Sequence, residues 1–293
     1  MSKIKLSIVI PVFNEEKSLL ELLVNLKNFI TNKKYEIVFI NDGSSDNSLQ
    51  ILKNYNENNW FVLVNNKINK GYGGAIKEGI KVAKGEHIIT IDADGQHFLQ
   101  DIDKLYCKLL KEDADMVVGL RKDSSSSLFR RVGKFLIRFI IKRLMPLHIH
   151  DINSGMKIYD TKLAIKYIKI CPDSMAFSDI IALSFIYNKH LVIEEPINIK
   201  ERITGKSTIT YKTALRTVIE IINIVMLFNP LKIFFPISVF LLLTSTLWGL
   251  QFIIAGNGVS VGALLGIVIG FLMAFLGLIA ESICKLRTAL LDE

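Results

Sequence analysis

Two carboxylates that stand two residues apart carry the strongest chemical signal in this sequence. Asp92 and Asp94 lie in the segment Ile91-Asp-Ala-Asp-Gly-Gln-His97, at the end of an apolar run. If the segment is extended, both side chains point to the same side, where two like charges repel unless a cation lies between them. Divalent ions such as Mg²⁺ or Mn²⁺ take oxygen ligands, and Mg²⁺ is usually held by one or two carboxylates together with substrate phosphates. The pair therefore predicts a metal-bridged diphosphate site.

Two other polar clusters follow apolar runs, namely Pro11-Val-Phe-Asn-Glu-Glu16 and Asn41-Asp-Gly-Ser-Ser-Asp46. Taken alone, the first is better explained as the start of a helix, where acidic residues interact well with the helix dipole. The second, taken alone, is better explained as a turn with an N-cap. Their shared position after apolar runs nevertheless places them where a ligand site would form in a parallel sheet.

The elements that must position these clusters alternate between strand-like and helix-like patterns over residues 1–120. The predicted strands are Leu6–Ile10, Glu36–Ile40, Phe61–Val64, Glu86–Ile91 and Asp115–Val118. A helix between the first two is expected to turn one apolar side to the core, with Leu19, Leu20, Leu23, Leu26 and Ile30 on it. Strands that alternate with helices indicate an α/β domain with a mostly parallel, Rossmann-like sheet covered by helices on both faces.

A basic segment follows the last predicted strand. Residues 121–143 contain eight Lys and Arg side chains against Asp123 alone, a net charge of +7 out of +8 for the whole chain. Arg131, Lys134 and Arg138 recur at helical spacing, with apolar residues between them. Such a stripe can bind nucleic acid, but a basic amphipathic helix suits an anionic membrane surface better. We therefore expect a membrane partner and no nucleic acid.

The mean hydropathy of +0.36 conceals two different pieces. Residues 233–280 contain no Asp, Glu, Lys or Arg, and they divide at Ala255-Gly-Asn-Gly258 into two runs, 233–254 and 259–280. About 20 apolar residues cross a bilayer, so the runs predict a transmembrane helical hairpin. Lys232, Lys285 and Arg287 flank its outer ends, and the positive-inside rule then places both ends in the cytoplasm.

Small residues recur along the second run, with Gly262, Gly266, Gly270 and Ala274 at steps of four. Small residues allow helices to approach closely in lipid. The stripe predicts either packing against the first run of the same chain or a contact within a homo-oligomer. The composition as a whole excludes a disordered chain, a disulfide-rich secreted mini-protein and a purely soluble enzyme.

Four motifs together resemble one family. Ser7-Ile-Val-Ile-Pro-Val-Phe-Asn-Glu-Glu16, Val38-Phe-Ile-Asn-Asp-Gly-Ser-Ser-Asp46, Asn69-Lys-Gly-Tyr-Gly-Gly-Ala75 and Ile91-Asp-Ala-Asp-Gly-Gln-His97 are similar to those of family 2 glycosyltransferases of the GT-A fold. With the hairpin, the chain resembles the branch of dolichyl-phosphate mannosyltransferases and bacterial polyprenyl-phosphate glycosyltransferases. The resemblance covers residues 4–210.

The resemblance implies a site for a nucleotide-sugar donor, UDP- or GDP-linked, with a divalent metal. The residues it assigns to the donor are Pro11, Phe13, Glu15, Asp42, Lys70, Asp92, Ala93 and Gln96. Of these, Asp92 would lie near the ribose and the metal, while Asp94 would coordinate the metal. Arg202, in the segment 194–207, would stabilise the leaving diphosphate. The segment is similar to the family's Arg-x-x-Gly-x-Ser-Lys, but Thr208 replaces the final Lys.

The resemblance also implies an acceptor site for a polyprenyl phosphate. Arg121 and Arg130 match arginines that contact the acceptor phosphate, and Lys134 lies where the related enzymes have serine. Asp151, in Asp151-Ile-Asn-Ser-Gly155, matches a candidate base, although it can equally orient the acceptor or a basic residue, or cap a turn. His148 and His150 flank it in the manner of a metal site, but no third ligand cluster is visible, so an interfacial loop is the better interpretation.

These features predict three regions. They are a GT-A catalytic domain at 1–207, an interfacial amphipathic helix at 208–230 and a two-helix transmembrane domain at 231–293. The predicted reaction is the inverting transfer of one sugar from a nucleotide diphosphate to a polyprenyl phosphate by a membrane-anchored enzyme whose catalytic domain lies on the cytoplasmic side.

Three alternatives are weaker. A processive polysaccharide synthase would carry Gln-x-x-Arg-Trp, and neither Trp60 nor Trp248 stands in that context. A glycosyltransferase acting on a preassembled lipid- or protein-linked glycan would not need the two acceptor arginines. An inactive membrane scaffold would not need to retain Asp92, Asp94 and Arg202.

Overall fold

The structure is a computed structural model that describes residues 4–121, 148–200 and 226–289. The described residues belong to two compact units, one formed by 4–121 with 148–200 and the other by 226–289.

The first unit contains seven described strands, numbered in chain order: β1 (Leu6–Val12), β2 (Tyr35–Asp42), β3 (Val62–Asn66), β4 (His87–Thr90), β5 (Met116–Arg121), β6 (Lys157–Asp160) and β7 (Val192–Ile197). Its described helices are α1 (Glu16–Ile30), α2 (Ser48–Tyr55), α3 (Tyr72–Val82), α4 (Gln100–Glu112), α5 (Thr161–Tyr167) and α6 (Phe177–Tyr187).

The described strands form one sheet in the order β3-β2-β1-β4-β6-β5-β7. All neighbouring pairs are parallel except those of β6, which runs antiparallel to both β4 and β5. The prediction of a mostly parallel sheet is therefore confirmed. Because β6 is reversed, its amino end lies at the same edge of the sheet as the carboxyl ends of β4 and β5. The segment before β6 therefore reaches the edge where parallel sheets bind ligands.

Burial explains why these residues form these elements. Six of the seven residues of β1 are buried, as expected for a central strand covered on both faces. Helix α1 buries Leu19, Leu22, Leu23 and Leu26 against the core. The expectation for Leu20 was wrong, because its side chain is 45% exposed and Leu22 takes the inward position.

Helix α3 approaches the sheet very closely. A Cβ on its Gly79 would lie 2.5 Å from Cγ1 of Val9 and 2.6 Å from Cδ1 of Ile40, so only glycine allows this contact with β1 and β2. The contact fixes α3 over the central strands and brings its first residue, Tyr72, to the carboxyl edge.

All five predicted strands are present, with shifted ends. Strand β4 stops at Thr90 instead of Ile91, and β5 extends to Arg121 instead of Val118. The premise that Asp92 and Asp94 stand on an extended chain was wrong. Residues 93–95 turn, Gly95 has φ +73°, and the main-chain N–H of Gln96 donates to Oδ1 of Asp94 at 3.1 Å. A carboxylate that accepts from the amide two residues on stabilises such a turn.

The second unit is a hairpin of two helices, α7 (Leu231–Ile254) and α8 (Val261–Ala289). A Cβ on Gly266 would lie 2.0 Å from Oγ of Ser245, and one on Gly270 would lie 2.8 Å from Cγ of Leu242. The hydroxyl of Ser238 donates to the carbonyl oxygen of Gly270 at 2.8 Å. Of the two alternatives for the small-residue stripe, the structure therefore has packing against the chain's own first helix.

Both helices of the hairpin are long and apolar enough to cross a membrane. Most of their large apolar side chains are exposed, among them Phe240, Leu247 and Phe271. A helix in the core of a soluble protein would bury such residues, so these helices suit a lipid environment.

Candidate active site

Asp92 lies at the centre of the polar side chains at the carboxyl edge of the sheet. The hydroxyl of Tyr72 donates to its Oδ1 at 3.1 Å, and Nε2 of His97 lies 3.5 Å from its Oδ2. Burial alone would raise the pKa of Asp92, but the contacts with His97 and Tyr72 and the charge of Lys157 outweigh burial and lower it. Burial and the charge of Asp92 raise the pKa of Tyr72 well above its ordinary value, so Tyr72 stays a donor. Asp92 is therefore an anion at neutral pH.

Asp92 and Asp94 have the donor chemistry that a divalent cation requires. Each carboxylate offers about four acceptor positions, of which Tyr72 takes one on Asp92 and Gln96 takes one on Asp94. Among the described residues, no three His, Cys, Asp or Glu side chains come together as a metal site. An ion here would thus need further oxygen ligands from a bound phosphate, which is how Mg²⁺ is commonly held in phosphate-handling enzymes.

The loops after β1 and β2 are joined by reciprocal hydrogen bonds. Asn14, at φ 56°, donates from its main chain to Ser44 Oγ at 3.1 Å and accepts from the Ser45 amide through Oδ1 at 2.8 Å. The amide of Glu16 donates to Oδ2 of Asp46 at 3.1 Å, and its carboxylate accepts from the Asn47 amide at 3.1 Å. The two polar clusters are thus two loops that are joined by hydrogen bonds. The interpretation of residues 42–46 as a turn describes part of their role.

The residues assigned to the donor lie at this edge. Pro11 stands near the carboxyl end of β1, Phe13 is 48% exposed, and Glu15 lies in the loop that follows the strand. The hydroxyl of Ser18 lies within hydrogen-bond distance of two acceptors, Oε2 of Glu15 at 3.0 Å and the carbonyl oxygen of Ala93 at 2.9 Å. That serine therefore connects the loop after β1 with the loop after β4.

Asp42 has a structural environment that its assignment to the donor does not anticipate. Its carboxylate is 2% exposed and accepts from Asn66 Nδ2 at 2.8 Å, from the Lys70 amide at 2.9 Å and from the Gly71 amide at 2.9 Å. Asp42 thus fixes the loop that carries Lys70. The ammonium group of Lys70 lies 3.2 Å from Glu78.

Arg121 and Asp151 form a bidentate ion pair. Nε of Arg121 donates to Oδ2 of Asp151 at 2.6 Å, and Nη2 donates to Oδ1 at 2.8 Å. Burial would raise the pKa of Asp151, but the hydrogen bonds and charge of Arg121 outweigh burial and lower it. A carboxylate held in this way is a poor proton acceptor and a good anchor for a guanidinium. Of the alternatives for Asp151, the geometry favours orienting a basic residue.

Glu194, on β7, holds the main chain of the loop that carries Asp151. Its Oε1 accepts from the amides of His150 at 2.6 Å and Asp151 at 2.7 Å, and its Oε2 lies 2.8 Å from Nδ1 of His150. His150 is thus engaged by a carboxylate. His148 is exposed at the start of the described segment.

Lys157 lies fully buried beneath the site, on β6. Its ammonium group donates to the carbonyl oxygen of Ser154 and to the hydroxyl of Ser178. Burial lowers its pKa to about 8, against the opposing charges of Asp179 and Asp151. At neutral pH Lys157 is mostly charged, and it contributes positive potential to Asp92 and Asp151 from within the protein.

Three assigned residues, Arg130, Lys134 and Arg202, lie outside the described residues, as does most of the basic segment 121–143 and of the predicted helix 208–230. The last described residues before Arg202 pair with the loop of Asp92. His97 and Ile199 form a β-bridge, and the amide of Lys200 donates to the carbonyl oxygen of Gln96 at 3.0 Å.

Sequence reasoning assigned no role to Tyr72, His97, Gly155, Lys157 or Glu194. Tyr72, His97 and Gly155 stand inside the motifs that carry the family resemblance, so a signal for them existed. Lys157 follows the Asp151–Gly155 motif and Glu194 begins the segment that contains Arg202, but neither position indicates that the side chain reaches a loop of the site.

The sheet, with its reversed β6 and its carboxylates at the carboxyl edge, has the arrangement of the GT-A fold. Residues 7–168 match the family described as "Glycosyl transferase family 2", and residues 229–286 match "GtrB C-terminal hairpin". The chain belongs to glycosyl transferase family 2.

Curated relatives support this membership. The chain is 36% identical over 186 residues to the undecaprenyl-phosphate 4-deoxy-4-formamido-L-arabinose transferase of Edwardsiella ictaluri, covering 61% of this chain and 56% of that protein. It is 29% identical over 182 residues to the dodecaprenyl-phosphate galacturonate synthase of Rhizobium johnstonii, covering 60% and 54%. The chain thus spans a little over half the length of these relatives.

A solved structure shows the same fold. Glucosyl-3-phosphoglycerate synthase from Mycobacterium tuberculosis, in complex with Mn²⁺, UDP and phosphoglyceric acid, superposes with a TM-score of 0.58 at 13% identity. The match covers 75% of this chain and 78% of that one. At this identity the likeness concerns the fold, and it confirms a GT-A glycosyltransferase architecture for the first unit.

Proposed function

We propose that this protein transfers one sugar from a nucleotide-diphosphate sugar to a polyprenyl phosphate at a membrane, with inversion at the anomeric carbon. One observation carries the proposal. The guanidinium of Arg121, which is paired with Asp151, lies at the same edge of the sheet as the carboxylates of Asp92 and Asp94. Two sets of groups with opposite charge suit two phosphate-bearing substrates. The names of both relatives, which pair a prenyl phosphate with a sugar, support the same substrate classes.

The donor would bind over β1, β2 and β4. In this proposal Pro11, Phe13, Glu15, Asp42 and Lys70 surround the nucleoside, Asp42 through the loop it fixes. Asp92, Ala93 and Gln96 would lie along the ribose and diphosphate. The exposed ring of Phe13 supplies an apolar face of the kind on which a base packs.

A divalent ion, Mg²⁺ or Mn²⁺, would be held by Asp92 and Asp94 together with the donor's diphosphate. When bound, such an ion neutralises charge on the diphosphate. The anionic state of Asp92, maintained by Tyr72, His97 and Lys157, suits this role. The solved complex of the mycobacterial synthase with Mn²⁺ and UDP is consistent with it.

The acceptor phosphate would be bound by Arg121, with Arg130 and Lys134 as further proposed contacts. Guanidinium forks match phosphate oxygens, and Asp151 holds the fork of Arg121 in one orientation. A phosphate monoester has its second pKa near ~6, so at neutral pH the acceptor is already largely dianionic and needs little help from a base. In this proposal, Asp151 orients the guanidinium of Arg121 and does not act as a base.

The chemical step follows from these positions. An oxygen of the lipid phosphate forms a bond to the anomeric carbon as the bond from that carbon to the nucleotide diphosphate breaks. The electron pair of the breaking bond leaves on the diphosphate oxygen, where the charge of Arg202 would stabilise it. Attack opposite the leaving group inverts the anomeric configuration.

The hairpin would anchor the enzyme beside its lipid substrate. The positive residues at its outer ends favour a cytoplasmic catalytic domain at 1–207, followed by an interfacial helix at 208–230 and the membrane domain at 231–293. Because the described small-residue stripe is used within the hairpin, a homo-oligomer would need another surface.

The test is a transfer assay with the full-length protein in detergent or nanodiscs. A short polyprenyl phosphate and Mg²⁺ or Mn²⁺ are screened against UDP- and GDP-sugars, and the product is detected as a glycolipid labile to mild acid. Asp94→Asn is the control and should abolish transfer. A wild-type protein that produces no glycolipid with any donor would refute the proposal, and transfer that survives Asp94→Asn would refute the metal assignment.

A further inference from the structure

We infer that Glu194 is a positioning residue that holds Asp151, and through it Arg121, in place for the acceptor phosphate. The inference rests on the proposed function, since it concerns the acceptor side of the same site. Glu194 makes no described contact with Arg121 itself, so its action would pass through the main chain of residues 150 and 151.

The contacts form a continuous relay of short hydrogen bonds. One carboxylate oxygen of Glu194 accepts from two successive amides, of His150 at 2.6 Å and of Asp151 at 2.7 Å. The side chain of Asp151 then accepts the two guanidinium bonds from Arg121, at 2.6 and 2.8 Å. Charge-assisted hydrogen bonds of this length are the strong ones, so the main chain and the side chain of Asp151 are both fixed.

The two ends of the relay stand on neighbouring strands. β5 and β7 pair in parallel, with Val118 opposite Glu194 and Arg121 opposite Ile197. Glu194 is therefore one strand away from Arg121 and three positions behind it. The loop that carries Asp151 is hydrogen-bonded to Arg121 on β5 and to Glu194 on β7, so Asp151 has little freedom to move relative to Arg121.

The environment of Glu194 is unusual for a mere surface ion pair. Its side chain is 11% exposed, and three nitrogen atoms converge on it: two amides that donate to it, and Nδ1 of His150 at 2.8 Å. Removing the carboxylate would leave two amides without their acceptor and release the loop. A displacement of about 1 Å in a group that positions substrate can lower the rate about 10²-fold.

The neighbouring Glu195 provides a matched control. It stands on the same strand and carries the same charge. Its carboxylate, however, pairs with the ammonium group of Lys104 at 3.1 Å and not with the loop before β6. Glu194→Ala and Glu195→Ala therefore make the same change in charge and size one residue apart. The conservative variant Glu194→Gln keeps an amide oxygen that can still accept from both amides.

The experiment measures acceptor kcat/KM, with a polyprenyl phosphate and the donor found in the transfer assay, and Kd for the nucleoside diphosphate of that donor with Mn²⁺. Glu194→Ala should lower acceptor kcat/KM by about 10- to 100-fold and leave the nucleotide Kd within about twofold of wild type. Glu194→Gln should restore most of the activity, and Glu195→Ala should match wild type. A loss shared equally by Glu194→Ala and Glu195→Ala would overturn the inference, as would a normal Glu194→Ala enzyme.

A double-mutant cycle tests the relay itself, because residues that act through one another give non-additive effects. In an Arg121→Ala background, Glu194→Ala should reduce acceptor kcat/KM by less than twofold. A full additional 10- to 100-fold loss would show that Glu194 acts elsewhere.

If Glu194→Ala does not fold, Glu194→Asp replaces it, since the shorter carboxylate keeps the charge but loses reach. It should lower acceptor kcat/KM with an unchanged nucleotide Kd, and wild-type activity would contradict the inference. The proposed function is judged separately, since it fails only when the wild-type protein transfers no sugar to the lipid.

Discussion

A Cβ atom on Gly155 would lie 2.4 Å from Oδ2 of Asp92. The main chain before β6 therefore packs directly against the carboxylate at the centre of the site. The carbonyl oxygen of Gly155 also accepts from the hydroxyl of Thr90, on β4, at 2.9 Å. The close approach of Gly155 to Asp92 joins the loop of Asp151 to the loop of Asp92, and only glycine leaves room for it.

Gly155→Ala should therefore damage the site without a large loss of core packing. The added methyl would displace Asp92, and we expect a fall in kcat/KM of about 10²-fold. Titration of the nucleoside diphosphate in the presence of Mn²⁺ should show weaker binding, because the displaced carboxylate is a proposed metal ligand. Circular dichroism serves as the control for folding. Unchanged nucleotide affinity in a folded variant would contradict this account.

Arg121→Ala and Asp151→Asn should have the same pattern of effects, since each breaks the same ion pair. We expect acceptor kcat/KM to fall about 10²-fold in both, because a misplacement of about 1 Å in a group that positions substrate can lower the rate about 10²-fold. The nucleotide Kd should change by less than threefold.

The pH profile separates orientation from base catalysis. Since the pKa of Asp151 is lowered in the folded protein, its carboxylate stays charged as pH falls to near or below its ordinary value. Activity should therefore show no acidic limb from Asp151 between pH 5 and 8, a range above the ordinary aspartate pKa of about 3.9. A limb in that range that disappears in Asp151→Asn would instead identify a base.

The buried lysine predicts a pH-dependent difference in stability. The pKa of Lys157 is lowered from 10.5 to about 8 in the folded protein, so between these values the unfolded chain binds the proton more strongly. The contribution of Lys157 to the free energy of unfolding should therefore rise with pH across this window, by roughly 3 kcal/mol. In Lys157→Met, this pH-dependent contribution to the free energy of unfolding is absent.

Thermal unfolding of both proteins from pH 7.5 to 10 checks this. The Tm of wild type should gain on that of Lys157→Met as pH increases. The exposed Lys162 on α5 is the control, and the difference between wild type and Lys162→Met should stay constant. A constant difference for Lys157→Met as well would mean that the buried amine has an ordinary pKa.

The hairpin makes a separate prediction. Gly266→Ala would place a methyl 2.0 Å from Oγ of Ser245, so the two helices must separate locally. We expect a destabilisation of about 1–3 kcal/mol, as for other overpacked contacts. The Tm in detergent should fall, and the double variant Ser245→Gly with Gly266→Ala should recover part of the loss. A Tm unaffected by Gly266→Ala would show that the helices do not pack through this glycine.

Much of the fold could be predicted from the sequence because it depends on patterns along the chain. The apolar runs gave all five predicted strands, and the uncharged stretch gave the hairpin. Strands β6 and β7 were not predicted. Strand β6 runs against both of its neighbours, which follows from tertiary pairing and not from its own residues. Leu20 was misplaced because helical spacing leaves the exact edge of the apolar face open.

The site was predictable in part for a similar reason. Carboxylates after a strand are visible in a sequence, and so the position of Asp92 and Asp94 after β4 could be expected; their role as metal ligands stays a proposal. The hydrogen bonds that Asp42 and Glu194 make depend on which loops meet across the sheet, and spacing along the chain does not contain that information. The turn at residues 93–95 likewise replaced the expected extended segment because Gly95 permits a positive φ.

The hydrogen bonds between the loops after β1 and β2 affect the entropic cost of binding the donor. Fixing the backbone of one residue typically costs about 1–2 kcal/mol in conformational entropy. Residues 14–16 and 44–48 are ordered by hydrogen bonds that they make with one another. A nucleotide that binds over them as proposed would meet a preorganised surface. Its binding would then cost little further conformational entropy in these residues.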